Sequence, residues 1–273
     1  MYTLLQGKRG IIFGALDENS IAWKVALKAK EHGAKFTLTN APVALRLGAV
    51  NALAEQCSTV VIPADATLVD DLEKLIQQSV HHLGGKLDFV LHSIGMSPNV
   101  RKGRHYTDLN YEWYQKTLDI SAISLHKLLQ TLRKHDAMNE WGSIVTLTYI
   151  AAQRAFPGYG DMADAKAMLE SIVRSFGYYY GVEKKVRINS VSQSPTKTTA
   201  GTGIKGFNEF FEFAQSMSPL GNAPADDCAN YCIALFSDLT RYVTMQNLYH
   251  DGGFSSMGVS ELLMQKLTGA SDN

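Results

Sequence analysis

The stretch GIIFGALDENSIA (residues 10–22) runs from a short apolar segment through Gly14 into a polar turn, and then into apolar residues at helical spacing. Ile11, Ile12 and Phe13 are branched or aromatic and lie between glycines, the pattern of a buried strand. From Ser20, a residue suited to an N-cap, Ile21, Ala22, Val25, Ala26 and Ala29 fall on one helical face until Gly33 ends the segment. A strand has become a helix, and the same change recurs along the chain. Strand-like segments at 35–39, 59–62, 88–92, 143–148, 186–191 and 246–250 alternate with helical ones at 43–56, 68–83, 111–134, 159–180 and 225–236. Seven strands in this alternation predict an α/β, doubly wound Rossmann-type parallel sheet with helices on both faces. No Pro/Ser/Gly-rich linker or internal repeat divides residues 1–273, so a single domain is expected.

An apolar content of 45% is ample for a core, and Lys+Arg and Asp+Glu balance at 26 each. That balance argues against nucleic acid or an anionic membrane as partner. The first residues enter a strand without an apolar leader or cleavage site, and no apolar run approaches the ~20 residues of a membrane span. Cys57, Cys228 and Cys232 have no histidine or cysteine pair beside them, so neither a metal site nor a disulfide framework is expected. A reducing, cytoplasmic setting fits.

In such a sheet, ligands bind at the carboxyl ends of the strands. The turn at 14–22 lets the backbone approach a pyrophosphate at Gly14, with Ser20 and the helix N-terminus at Ile21 beside it. An ordinary connection has the same composition, and Asp17 and Glu18 repel phosphate unless they face solvent. After the third segment, Asp65 and Ala66 can meet an adenine amino group, or Asp65 can form an Asx turn or N-cap. After the fourth, Ser93, Ile94 and Gly95 let the chain pass close to a flat ligand, or simply turn. Pro195, Thr196 and Thr198, after the sixth, can meet a carboxamide and a phosphate, or simply form a polar loop with no ligand. Residues 199–217, rich in Gly and Phe, resemble a mobile lid.

Tyr159 and Lys166 stand seven residues apart at the start of the 159–180 segment, nearly two turns on one helical face, a rise of roughly 10 Å. A nearby ammonium makes a tyrosine more acidic, and a neutral phenol can stabilise an oxyanion as hydride arrives. A core aromatic with a snorkelling lysine is the bland alternative. Tyr180 and Lys184 have Y-x₃-K spacing but fall at the opposite, amino edge of the sheet.

Taken together, G-x₅-S-I-A at 14–22, Asp65, H-S-I-G at 92–95, Tyr149, RAFP at 154–157, Y-x₆-K at Tyr159 and Lys166, the 195–198 loop and the D-G-G-F turn at 251–254 resemble one family. It is the bacterial enoyl-[acyl-carrier-protein] reductase branch of the short-chain dehydrogenase/reductase superfamily. The resemblance implies reduction of the trans-2 double bond of an enoyl thioester on acyl carrier protein in fatty-acid elongation. It also implies NADH as cofactor, with NADPH not excluded, and a homotetramer. By the same resemblance Tyr159 bonds the thioester oxygen, Lys166 holds the nicotinamide ribose, and Tyr149 shapes the acyl site or assists a later proton step. The cofactor-lining positions are Gly14, Ser20, Ile21, Asp65, Ala66, Ser93, Ile94, Gly95, Lys166, Pro195, Thr196 and Thr198. Ser97, Met162 and Phe207 lie toward the acyl chain or lid.

The chain departs from the family pattern at Trp23, at Gln193 and Ser194 before the proline, and at Thr39, Asn40 and Ala41, where neither an acid nor an arginine ends the second strand. A neutral net charge requires a local basic patch for an acidic carrier protein; Arg101, Lys197 and Lys205 are candidates. A 3-oxoacyl or other carbonyl reductase normally has a serine before its tyrosine and Y-x₃-K. A non-catalytic dinucleotide sensor has no need of both Tyr159 and Lys166.

Overall fold

A computed structural model describes residues 3–46, 49–202 and 206–268. The apolar segments form β1 (Arg9–Phe13), β2 (Lys35–Thr39), β3 (Leu87–His92), β4 (Met138–Thr148), β5 (Arg187–Gln193) and β6 (Asn247–His250). They make one parallel sheet in the order β2-β1-β3-β4-β5-β6. Alternate side chains feed two cores. Ile12, Phe89, Leu91, Val145 and Val191 pack against the helices Ile21–Glu31, Ala49–Cys57 and Ala225–Phe236. Ile11, Phe13, Val90, Ile144 and Ile188 pack against Val69–Leu83, Ser124–Lys134 and Asp161–Lys184. Helices therefore cover both faces, as the near-continuous apolar strands require.

The sheet has six strands rather than seven. Residues 59–62 run beside β2, but they form only one bridge, Leu38 with Val61. The segment is short and confined between Ser58, in a left-handed conformation at φ 53°, and Pro63, which has no N–H. Two helical expectations also need correcting. The 43–56 helix is Pro42–Leu45 and Ala49–Cys57, and the 111–134 helix is Tyr111–Leu118 and Ser124–Lys134 joined by a π turn at Asp119–Ile123. The lid stretch contains helices Thr199–Thr202 and Phe207–Met217, while residues 203–205 of the expected lid lie outside the described residues.

At the amino edge, Arg187 is 2% exposed and donates to Leu235 O at 3.0 Å, Ser237 O at 3.2 Å and Thr240 O at 2.9 Å. It thus supplies the donors that a helix C-terminus lacks. Arg187→Met keeps the volume but strands these buried carbonyls, so urea unfolding should show a loss of about 3 kcal/mol. A loss below about 1 kcal/mol overturns this role.

Candidate active site

Because the strands are parallel, the loops after β1, β3, β4, β5 and β6 open on one edge. Phe13 pairs with His92 in register, which brings the turn after β1 against the loop after β3. Gly14 has φ 92°, and a Cβ there would lie 1.9 Å from Ser93 O. Only glycine fits this crossing. The helix Ile21–Glu31 begins just beyond, with no acidic residue in its first turn. Ser20 is its N-cap residue, as expected, but the side chain does not cap it: its hydroxyl donates to Asp17 O at 2.5 Å and accepts from Leu16 N at 3.2 Å, folding the turn on itself. Asp17 is likewise engaged, accepting from Asn19 N at 3.0 Å and from the Thr199 hydroxyl. Its carboxylate thereby ties the first turn to the chain beyond β5. A glycine crossing followed by a helix start free of acid suits the phosphates of a dinucleotide.

Asp65 forms the Asx turn, accepting at Oδ1 from Thr67 N at 2.9 Å and Thr67 Oγ1 at 2.7 Å. It does not cap the next helix, whose N-cap is Leu68. Ala66 is buried beside it. His92 is fully buried between Thr146 Oγ1 at 3.0 Å and Ser124 Oγ at 2.9 Å. Burial, aided by the Lys166 charge, lowers its pKa to about 3, so it is a neutral structural group. Gly95 faces the site: a Cβ there would come 3.0 Å from Met162 Cε and 3.8 Å from Lys166 Nζ.

Tyr149 follows β4 and is buried, with its hydroxyl lacking a hydrogen-bond partner among the described residues. Its ring centroid lies 4.9 Å from that of Tyr159. Tyr159 stands outside the helix that the spacing had assigned to it, because Asp161–Lys184 starts two residues later with Gly160 as N-cap at φ 52°. Its position is set by that glycine and by packing against Tyr149 and Phe156. Lys166 is buried and donates from Nζ to Leu147 O at 2.7 Å. Burial pushes both tyrosines up, and it lowers Lys166 to about 8 against an upward pull from Glu170. The expected acidification of Tyr159 by Lys166 is absent: burial alone shifts the phenol, upward, and it remains a proton-bearing donor.

Of the three acyl-side expectations, Met162 packs with Val100, Ala165 and Tyr159. Ser97 is 4% exposed, donates to Asp161 Oδ1 at 2.5 Å and caps Val100 N at 3.0 Å. Asp161 also receives Asn99 Nδ2 at 2.8 Å and Thr117 Oγ1 at 2.9 Å, anchoring the start of the Lys166 helix. Phe207 packs near Phe211, at 5.9 Å between centroids. The aromatic of this stretch that packs against Tyr149 is Phe210, 6.3 Å from Tyr149 and 4.4 Å from Phe156. Its helical offset of three from Phe207 was the signal available in the sequence. Tyr180, of the competing Y-x₃-K, lies in the core with Val186 and Leu132.

The departures are structural. Trp23 is core. Asn40 donates to Ala15 O at 2.9 Å and accepts from Ala41 N at 2.8 Å, so it ties β2 to the first turn. Gln193 donates to Thr196 Oγ1 at 3.2 Å and Ala223 O at 2.9 Å, steadying the loop that carries Pro195, Thr196 and Thr198. Thr198 Oγ1 accepts from Gly201 N at 3.0 Å.

A family model described as Enoyl-(Acyl carrier protein) reductase matches residues 14–255. The enoyl-[acyl-carrier-protein] reductase [NADH] FabI of Rickettsia typhi is 35% identical over 269 residues, covering 95% of this chain and 98% of that one. The enoyl-[acyl-carrier-protein] reductase [NADH] 2 of Rhizobium meliloti is 33% identical, covering 93% and 94%. Among solved structures, the FabI–NADH complex of Alistipes finegoldii has a TM-score of 0.95 at 66% identity, covering 97% of this chain and 93% of that one.

Gly14→Ala places a methyl group on the Ser93 carbonyl and should weaken dinucleotide binding about tenfold or more in a fluorescence titration. Gly258→Ala, with nothing within 4 Å of the added carbon, should change nothing. Equal affinities in both variants would show that the crossing is not part of the site.

Proposed function

The chain belongs to the enoyl-[acyl-carrier-protein] reductase family, and we propose that Tyr159 and Lys166 carry its reaction, with Tyr149 shaping the acyl site. It is an NADH-dependent oxidoreductase that reduces the double bond of enoyl thioesters. The observation that supports the assignment is the contact of the two tyrosine rings at 4.9 Å, on the sheet edge where the buried Lys166 also stands.

The chemistry NADH would supply when bound is a hydride for C3 of the substrate. Negative charge then builds on the thioester oxygen, and the Tyr159 phenol donates a hydrogen bond to it. The same burial that raises its pKa keeps this proton in place at neutral pH. Lys166 would bond the nicotinamide ribose and add positive potential. Gly14, Ser20 and Ile21 would hold the pyrophosphate, Asp65 and Ala66 the adenine, and Ser93, Ile94 and Gly95 the ribose and nicotinamide. Pro195, Thr196 and Thr198 would hold the carboxamide and a phosphate. Met162, Phe207 and Phe210 close the acyl side and exclude water. Ser97, bonded to Asp161, supports the wall from behind.

The substrate arrives on acyl carrier protein. Of the basic candidates for docking it, Arg101 is exposed, Lys197 lies 4.4 Å over the Phe211 ring, and Lys205 lies outside the described residues. A homotetramer is supported by Tyr178, Tyr179 and Val182, which stand 58%, 62% and 64% exposed on the Lys166 helix, and by β6 at the sheet margin. The three cysteines are free and buried, which suits the cytoplasm.

Crotonyl thioester on carrier protein should drive NADH oxidation, followed by absorbance. Turnover only of a 3-oxoacyl thioester would overturn the substrate assignment. Lys166→Met should raise the NADH Kd, whereas Tyr159→Phe should lower kcat with Kd nearly intact; equal loss of affinity in both would show the roles misassigned. The charged lysine is present below its pKa, so kcat/KM for NADH should fall as pH rises through about 8.

Tyr179→Glu together with Val182→Glu should break the assembly in analytical ultracentrifugation. Unchanged sedimentation would remove this helix face from the interface.

A further inference from the structure

The mechanism above makes no use of Glu170, one helical turn beyond Lys166 and 4% exposed. Its Oε1 accepts from Thr148 Oγ1 at 2.9 Å, and its Oε2 from Gln153 Nε2 at 2.9 Å. These donors stand on either side of Tyr149: Thr148 ends β4, and Gln153 follows the Ile150–Ala152 turn. The Tyr249 hydroxyl in turn donates to Gln153 Oε1, which ties β6 to the same network. One carboxylate therefore grips the chain before and after the buried tyrosine.

Both donors are neutral, no cation among the described residues pairs directly with Glu170, and burying such a carboxylate is costly. Its field is correspondingly strong in a low-dielectric interior. The Lys166 ammonium, held at Leu147 O next to Thr148, lies within that field.

We propose that Glu170 is a positioning residue that fixes the Tyr149 segment through Thr148 and Gln153 and sets a buried negative charge one helical turn from Lys166. The inference rests on the assignment of Lys166 made above. Other titratable groups face this region from the packed elements. His92 on β3 is neutral, and its low pKa already reflects the Lys166 charge. Tyr149 after β4 and Tyr159 before the helix are both held protonated by burial. Tyr249 on β6 is raised by burial and by Glu170. Arg154 and Asp251 act on Tyr249, and Asp251 is bonded to Gly253 N and Ser255 N at 3.0 Å each. Glu170 is the group whose charge raises the Lys166 pKa against burial.

The test is the pH profile of kcat/KM for NADH in the full-length enzyme with a crotonyl thioester. In Glu170→Gln, which keeps the shape but removes the charge, the alkaline fall of the profile should move toward neutrality by about one pH unit. Glu170→Asp keeps the charge on a shorter stem; its alkaline fall should stay at the wild-type position while kcat drops. A purely structural role predicts instead a uniform loss of kcat/KM at every pH in Glu170→Gln, and that result overturns the proposal. If Glu170→Gln does not fold, Glu170→Asp decides alone: a displaced alkaline fall, or an unchanged kcat, overturns it. A wild-type profile with no alkaline fall removes the Lys166 assignment itself, which distinguishes the two failures.

Discussion

The two faces of the parallel sheet are sealed by apolar side chains, with Ile11, Ile12, Phe89, Val90, Ile144 and Val145 all at 0% exposure. Backbone groups within the sheet pair with neighbouring strands, so polar chemistry is confined to the strand ends. Parallel strands send all their carboxyl ends to one edge. Residues as distant in sequence as Gly14, Ser93, Tyr149 and Thr196 therefore converge there without any local signal linking them. The sheet order puts its reversal of direction between neighbouring β1 and β3, where the Gly14–Ser93 crossing lies and where ligands of such sheets bind.

Within that edge, burial sets the chemistry more than pairing does. Desolvation holds the tyrosines protonated and pulls the lysine down toward a pKa of about 8. The two shifts are complementary in use: a phenol that keeps its proton can meet a developing oxyanion, and an ammonium can bond a ribose and supply potential. The lysine alone needs support against desolvation, and its bond to Leu147 O, with the Glu170 charge one turn away, is of the required sign.

The site is also braced from outside by polar groups that touch no expected ligand position. Asp161 gathers Ser97, Asn99 and Thr117 at the start of the Lys166 helix. Gln193 joins the Thr196 loop to Ala223, and His250 Nδ1 lies 2.7 Å from its Oε1. Asn40 pins the first turn at Ala15. Several positions where this chain departs from the family pattern are thus part of the scaffold that orients the loops. Such second partners restrict side chains to one geometry, which a reaction dependent on hydrogen-bond placement requires.

The sequence by itself determined the α/β architecture, because the change from a short continuous apolar run to helical spacing is written locally in segments such as residues 10–22. It also determined the family, because Tyr149, Tyr159, Lys166 and the loop motifs occur in a fixed order along the chain. It could not show that residues 59–62 make one bridge rather than a strand, since edge pairing depends on what the neighbour offers. Nor could it place Tyr159 before the helix, set Phe210 against Tyr149, or bond Ser97 to Asp161. Those outcomes depend on which side chains meet across the fold and on how far each is removed from water. Periodicity and spacing record neither; only the packed tertiary structure does.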